Sequence, residues 1–317
     1  HMDIIFFKPA YKDWIWGGTR LKKEFNKNTP YEKTAESWEV STNKNGKSII
    51  INGEWKDKDL DELFNNQETK ESIFGKRCLQ MEKFPLLIKF IDADDNLSVQ
   101  VHPNDEFAKR YENDSGKTEM WYILDCKENA KLICGLNENA KKENIKEILK
   151  NGEIKKYLKY VDVQKGDSIY IPSGTVHAIL SGILICEIQQ NSDLTYRIYD
   201  WDRVGKDGKP RELHIDKAVD VIDFNSKAEK IESNGQNVQE IMKTKYFNVD
   251  KIKIEDIYTD TSNIDTFYAI SITDGSGKIY YENKEINIKK GDSFIVPAKL
   301  GEYKIEGKIE LLKSYIS

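Results

Sequence analysis

Histidine is scarce in this sequence, cysteine is no more common, and no apolar run is long enough to span a bilayer. There are four of each residue among 317. A spanning helix needs about 20 consecutive apolar residues, so an integral helical membrane protein is not expected. No signal-peptide pattern is present. Cys78, Cys126, Cys134 and Cys186 lack C-x-x-C spacing. They are expected to be buried thiols rather than disulfides or metal ligands, which points to the cytoplasm. Positive charge is not in excess: 49 Lys and Arg against 54 Asp and Glu give a net charge of -5. No nucleic-acid partner is expected, and the interspersed Lys and Glu read as a solvated surface. His1-Met2 reads as a cloning scar, so His1 is set aside.

What is present is a series of short strands. Residues 48–51, 84–91 and 97–102 are rich in β-formers and bounded by Gly, Asn or Asp. Residues 121–124, 130–134, 168–171, 178–180 and 184–189 continue the pattern. Many short strands with frequent turns predict a sandwich or barrel. Helical signals are confined to 59–66, 105–113, 138–160 and 213–224, with Gly152 expected to split the third into two helices. Residues 225–240 are polar and read as a connector, after which strands resume. The length allows one large β-domain or two smaller ones.

One segment repeats. Val163-Gln-Lys-Gly-Asp-Ser-Ile-Tyr-Ile-Pro172 resembles Ile288-Lys-Lys-Gly-Asp-Ser-Phe-Ile-Val-Pro297. Each reads as a turn at Gly-Asp followed by a strand that Pro ends. The shared Lys-Gly-Asp-Ser favours duplication over coincidence. The second copy has nothing to match His177, so it is expected to be structural.

Of the three remaining histidines, His102 and His177 sit in contexts that suit a metal. Side chains alternate along a strand, so Ser98, Gln100 and His102 share one face while Val99 and Val101 take the apolar one. A polar face inside a barrel is costly unless a ligand or metal satisfies it. The same parity groups Lys117 with Glu119 if residues 117–121 form a strand. Gly166, Pro172, Gly174 and His177 fit the spacing G-x5-P-x-G-x2-H. There Gly166 opens a strand, Pro172 ends it, and Gly174 permits the bend that turns His177 inward. Imidazole, carboxylate and amide oxygen are ligand types that suit catalytic zinc, and iron, manganese or cobalt as well.

The spacing around His177 resembles the second signature of the cupin superfamily, with Ser181 where an Asn is expected. In the first signature, Gln100 replaces a histidine, and Glu119 comes 17 residues after His102. Together with Ser98-Val-Gln-Val-His-Pro-Asn-Asp105, Gly116-Lys-Thr-Glu-Met-Trp121 and Gln190-Asn-Ser-Asp-Leu-Thr-Tyr-Arg-Ile-Tyr-Asp200, these departures resemble type I mannose-6-phosphate isomerases of the short bacterial form. Trp14-Ile-Trp16-Gly-Gly18 and Ala35-Glu-Ser-Trp-Glu39 resemble that family too. The resemblance spans about residues 3 to 220 and is weaker beyond.

It implies a mainly β fold: a cupin jelly-roll barrel with helical insertions at about 104–116 and 138–160. The catalytic domain would cover 3–230, and a second, metal-free cupin-like β-domain 241–317. It also implies zinc on Gln100, His102, Glu119 and His177, with Arg197 and Lys117 catalytic and Ser98, Lys117 and Arg197 binding the sugar phosphate. The implied reaction interconverts mannose 6-phosphate and fructose 6-phosphate, through a cis-enediolate or a hydride shift. A metal-dependent cupin oxygenase and a non-catalytic sugar-binding cupin are the rival readings. Trp14, Trp16, Trp38 and Trp121 suit either a sugar pocket or the core. His214 reads as a surface or capping residue. Asp200-Trp-Asp-Arg203 reads as a charged loop in which Asp200 could orient an active-site group.

Overall fold

The computed structural model describes residues 2–317; His1 lies outside them. Two antiparallel sheets face each other in the N-terminal two thirds of the chain. One has seven strands in the order Glu229–Ile231, Ser168–Ile171, Glu119–Cys126, Ile183–Gln190, Leu86–Ala93, Glu36–Val40 and Ala10–Lys12. The other has five: Tyr196–Tyr199, Val99–Val101, His177–Ile179, Lys131–Leu136 and Leu158–Asp162. This is the expected jelly roll. Ile91, Ile123, Leu132, Ile169 and Ile185 fill one end of the space between the sheets. The other end is polar.

Alternation along each strand decides what faces where. In Leu86–Ala93, Leu86, Ile88 and Phe90 pack outward against a core that contains Phe64, Phe74 and Phe84. Lys89 and Ile91 point inward. In Val99–Val101, both valines pack outward against Ile145, Ile148 and Ala218 from two covering helices. Fully burying one such side chain contributes about 1.5–3 kcal/mol, which fixes the strand's parity and so the direction of Gln100.

A nine-stranded sheet forms the C-terminal part, built around the long strands Tyr268–Tyr281 and Glu302–Ile316. The N-terminal strand Ile5–Lys8 joins it, with Ile5 opposite Ile295 and Phe6 opposite Phe294. No helix among the described residues is long and apolar enough to cross a membrane.

Three expectations need correction. Residues 138–160 hold one α-helix, Ile145–Lys150, a 3-10 turn Ile154–Tyr157, and then a strand Leu158–Asp162. That strand pairs with Lys131–Leu136, so an open sheet edge overrides helical propensity there. The connector at 225–240 includes the strand Glu229–Ile231, paired with Ser168–Tyr170, and the start of Val238–Lys243. The strand expected over 117–121 begins at Glu119, because the Thr118 amide donates to the Gln190 side chain at 2.9 Å.

Candidate metal centre and substrate cleft

Two rows of residues, one on each sheet, face each other across the polar end. On the five-stranded sheet His177 lies directly opposite Gln100, and Gln100 opposite Arg197. On the seven-stranded sheet the row runs Trp38, Lys89, Glu187, Trp121. Directly opposed residues in an antiparallel sheet project to the same side. The space between the rows is a cleft of about 550 Å³, and all of these except His177 line its wall.

Glu119 is brought to this cleft across the long gap after His102 by the helix Asp105–Glu112. Asn104 caps it, accepting from the Phe107 amide at 2.8 Å, and Asn113 ends it in the left-handed conformation. Asp105 then pins the insertion at its base, accepting from the Gly116 amide at 2.8 Å and the Gln190 side chain at 3.0 Å. His177 is placed by Gly174. At φ +84, its missing Cβ leaves room for the Val221 carbonyl and Asp223, and its amide donates to the His102 carbonyl at 2.9 Å.

His102, Glu119 and His177 are fully buried and form a group that could hold a metal ion. The hydrogen bonds behind the rings decide how. His102 Nδ1 lies 2.9 Å from the Leu194 carbonyl oxygen, and His177 Nδ1 lies 2.8 Å from that of Thr175. A carbonyl only accepts, so each Nδ1 carries the proton and each Nε2 presents a lone pair. The two Nε2 atoms are 3.0 Å apart. Glu119 Oε1 is 3.1 Å from His177 Nε2, and Oε2 is 3.5 Å from His102 Nε2. Glu119 Oε2 has no hydrogen-bond partner among the described residues. Four lone-pair atoms therefore converge with no donor between them. Protonation is a poor remedy, because burial and then the Lys117 ammonium push the His102 ring down to about 3. A bound cation satisfies the set, and the Gln100 amide beside His177 stands ready as a further oxygen donor.

Around this centre the cleft wall carries five basic and four acidic side chains. Ser98, Lys117 and Arg197 line it. Arg197 is half-buried, and burial, then Arg211, lowers its guanidinium to about 10. Its Nη1 donates to the Glu212 carbonyl at 2.9 Å, while its buried Nε has no partner among the described residues. His214 is the residue before the helix Ile215–Val221, but its ring does not cap. Its Nδ1 instead accepts from the Arg197 amide at 3.1 Å. Trp14, Trp16, Trp38 and Trp121 all line the cleft; the last three are buried and Trp14 is 44% exposed.

Sequence reasoning missed Lys89, Glu187, Glu36 and Arg211. Lys89 is buried 3.4 Å from Glu36, and its Nζ lies 4.4 Å from the Trp38 ring centre. Burial lowers the Lys89 ammonium, but Glu36 and Glu187 outweigh this and raise it. Burial and the facing Glu119 push the Glu187 carboxyl well above its usual range. A charge in the middle of an apolar strand, as in Leu87-Ile88-Lys89-Phe90 and Ile185-Cys186-Glu187-Ile188, was the available signal: such a charge must find a partner.

Comparison with known proteins agrees with this geometry. Residues 4–149 match the model of the phosphomannose isomerase type I catalytic domain, and residues 237–316 match the mannose-6-phosphate isomerase cupin domain. The chain is 41% identical over 320 residues to mannose-6-phosphate isomerase ManA of Bacillus subtilis (strain 168), covering 99% of each. The crystal structure of the mannose 6-phosphate isomerase from Bacillus subtilis superposes with a TM-score of 0.91 at 37% identity, over 99% of this chain and 100% of that one. A mannose 6-phosphate isomerase bound with zinc and yttrium shares the fold at 15% identity, with a TM-score of 0.78 over 100% of both chains.

Proposed function

The chain belongs to the type I mannose-6-phosphate isomerase family, and we propose how its cleft performs that reaction. It is a metal-dependent aldose–ketose isomerase that interconverts mannose 6-phosphate and fructose 6-phosphate. Zinc is the metal, held by Gln100, His102, Glu119 and His177. The observation that carries this is the set of facing lone pairs on His102, His177 and Glu119. The zinc-bound relative of the same fold supports the choice of metal. When bound, zinc would supply Lewis acidity to the sugar's carbonyl and hydroxyl oxygens.

The reaction moves hydrogen between C1 and C2. In the cis-enediolate route, a base removes the proton beside the carbonyl and returns it to the neighbouring carbon. Lys117 and Glu187, among the titratable groups of the cleft wall, are able to hold that proton. Arg197 offers the unpartnered Nε to the developing oxyanion, a fixed donor that needs no reorganisation. Ser98 and Lys117 bind the phosphorylated sugar, and the tryptophans exclude water from its other faces.

Two coarser assignments accompany this reading. Residues 3–230 act as the catalytic unit and 241–317 as a metal-free β-unit. The cysteines are free thiols, which supports a reducing, cytoplasmic setting.

The test is turnover of mannose 6-phosphate in heavy water with zinc-loaded protein. Deuterium at C1 or C2 of the product is expected. Complete retention of the substrate hydrogen over many turnovers would replace this route with a hydride shift. Elemental analysis of active protein checks the metal.

A further inference from the structure

Beyond the strand that carries Arg197, the chain makes a charged loop whose carboxylate has an unusual load. Asp200 Oδ1 accepts from Arg203 Nη2 at 2.9 Å, Arg203 Nε at 3.2 Å and Arg211 Nη2 at 2.8 Å. Its Oδ2 accepts from Arg211 Nε at 2.9 Å. Burial would raise this carboxyl, but the two guanidiniums hold it below its ordinary range. Asp200 is itself buried. Of the two arginines only Arg211 lines the cleft, in the same wall as Arg197. Its Nε and Nη2 face Asp200, which leaves the Nη1 end of the guanidinium without a partner among the described residues.

The loop is built for this arrangement. Trp201 and Asp202 both have positive φ, at 61° and 54°, a costly conformation for two successive non-glycine residues. It curls the chain so that Arg203 returns to Asp200 three residues back. The Trp201 indole then ties the loop to the cleft strand, donating to the Leu97 carbonyl at 2.8 Å. Charge explains the carboxylate. Arg197, Arg203 and Arg211 repel one another, and both neighbours act to deprotonate Arg197, while Asp200 opposes them. Three guanidiniums and one carboxylate leave two positive charges. A sugar phosphate at neutral pH carries nearly two negative ones.

We propose that Asp200 is a positioning residue: it fixes Arg211 so that Arg211 holds the phosphate of the substrate, in the wall beside Arg197, which keeps its place at the developing oxyanion. The proposal rests on the isomerase reading above. It assigns the carboxylate to phosphate selectivity rather than to chemistry at C1 and C2. It also explains why a negative group is placed against the anion-binding wall. Without it the arginines would spread apart, and a guanidinium held on one edge by a carboxylate presents its other edge in a fixed direction.

Asp200→Asn keeps the shape and removes the charge. The Michaelis constant for mannose 6-phosphate should rise about tenfold, the scale for weakening a charge-assisted contact, with turnover number and metal content changing much less. Competitive inhibition by inorganic phosphate should weaken by the same factor. Asp200→Glu should recover part of both. Arg211→Gln should reproduce the effect, and the double variant should be no worse than Arg211→Gln, because the two residues act in series. If Asp200→Asn does not fold, Arg211→Gln decides alone. An unchanged Michaelis constant in Arg211→Gln, additive effects in the double variant, or a loss confined to turnover number would overturn the proposal. Wild-type protein inert toward mannose 6-phosphate would instead overturn the isomerase reading.

Discussion

The N-terminal jelly roll and the C-terminal β-unit use the same turn at the same place. In the first, the Asp167 carboxylate accepts from the Gln164 amide at 2.9 Å before the strand Ser168–Ile171. In the second, Asp292 accepts from the Lys289 amide at 2.8 Å before Ser293–Val296. Gly166 and Gly291 have φ of +92 and +97. The partner strands correspond as well: Ile171 lies opposite Glu119, and Val296 opposite Tyr268. Five residues after each proline come His177 and Glu302, each the first residue of a strand. The positions of Glu119 and His177 are thus taken by Tyr268 and Glu302. On the next strands of each sheet, the opposed pair Lys89 and Glu187 is matched by Asp250 and Lys313, with the charges exchanged. The scaffold is therefore indifferent to the chemistry it displays. A handful of positions separates the candidate metal site from a polar cluster in which Asp260 accepts from Tyr303 at 2.7 Å, Lys313 at 3.1 Å and Tyr258 at 3.2 Å.

The comparison breaks most severely at the metal ligands. His102→Ala or His177→Ala should abolish isomerisation and lower zinc content while the circular dichroism of the β-fold persists, because the apolar cores lie elsewhere. Full zinc content by elemental analysis in both variants would remove these residues from the site. The converse graft, Glu302→His, should gain no zinc, since the position of Glu119 is a tyrosine there. Next in size is Arg197→Lys. It keeps the charge but loses the planar fork, so turnover number should fall about 10²-fold, the scale for losing one transition-state donor. An unchanged turnover number at unaltered metal content would refute that role.

The common scaffold was legible in the sequence because its signals are local. Lys-Gly-Asp-Ser and its following proline specify a turn and a strand without outside help. Gln100 and His102 were legible because period-two alternation with Val99 and Val101 fixes a face. Glu119 needed the family resemblance, since a helix intervenes and nothing local measures the span it bridges. The Asp200–Arg211 pair was only half legible. Asp200 stood out, but its partner is 11 residues away across a loop whose two left-handed residues carry no glycine signal. The strand at 158–162 was lost because edge pairing, not propensity, decides it.

Smaller again is the effect expected at Lys117. Its ammonium sits close enough to His102 to depress the ring, and it lines the cleft. Lys117→Ala should raise the Michaelis constant for mannose 6-phosphate about tenfold, as for one charged contact, and weaken competition by inorganic phosphate in parallel. A change in turnover number alone would make Lys117 a participant in proton transfer and not a binding group.

The smallest kinetic effect should come from Lys313, which stands where the jelly roll has Glu187. Lys313→Met removes the cation shared by Asp260 and Asp250 but touches nothing in the cleft. Turnover number and Michaelis constant should stay at wild-type values, whereas Glu187→Gln, at the matching position, should lower turnover. The cost of Lys313→Met should appear in stability, about 1–3 kcal/mol for stranding a largely buried partner. Its pH dependence has a definite sign. Burial already raises the Asp250 carboxyl, and Lys313 opposes that rise. Removing the lysine raises it further, so the native state takes up a proton at higher pH than the unfolded chain does. That uptake favours the folded state in acid and is lost as pH rises through the folded value. The destabilisation should therefore be largest at neutral pH and shrink toward pH 4. Urea titrations of wild type and variant at several pH values measure it. A penalty independent of pH would mean that Lys313 contributes packing of its aliphatic stem over Tyr268, where its Nζ lies 4.4 Å from the ring centre, and not charge. A fall in turnover without loss of stability would show that the C-terminal β-unit is coupled to the jelly roll, and that its exchanged pair is not merely structural.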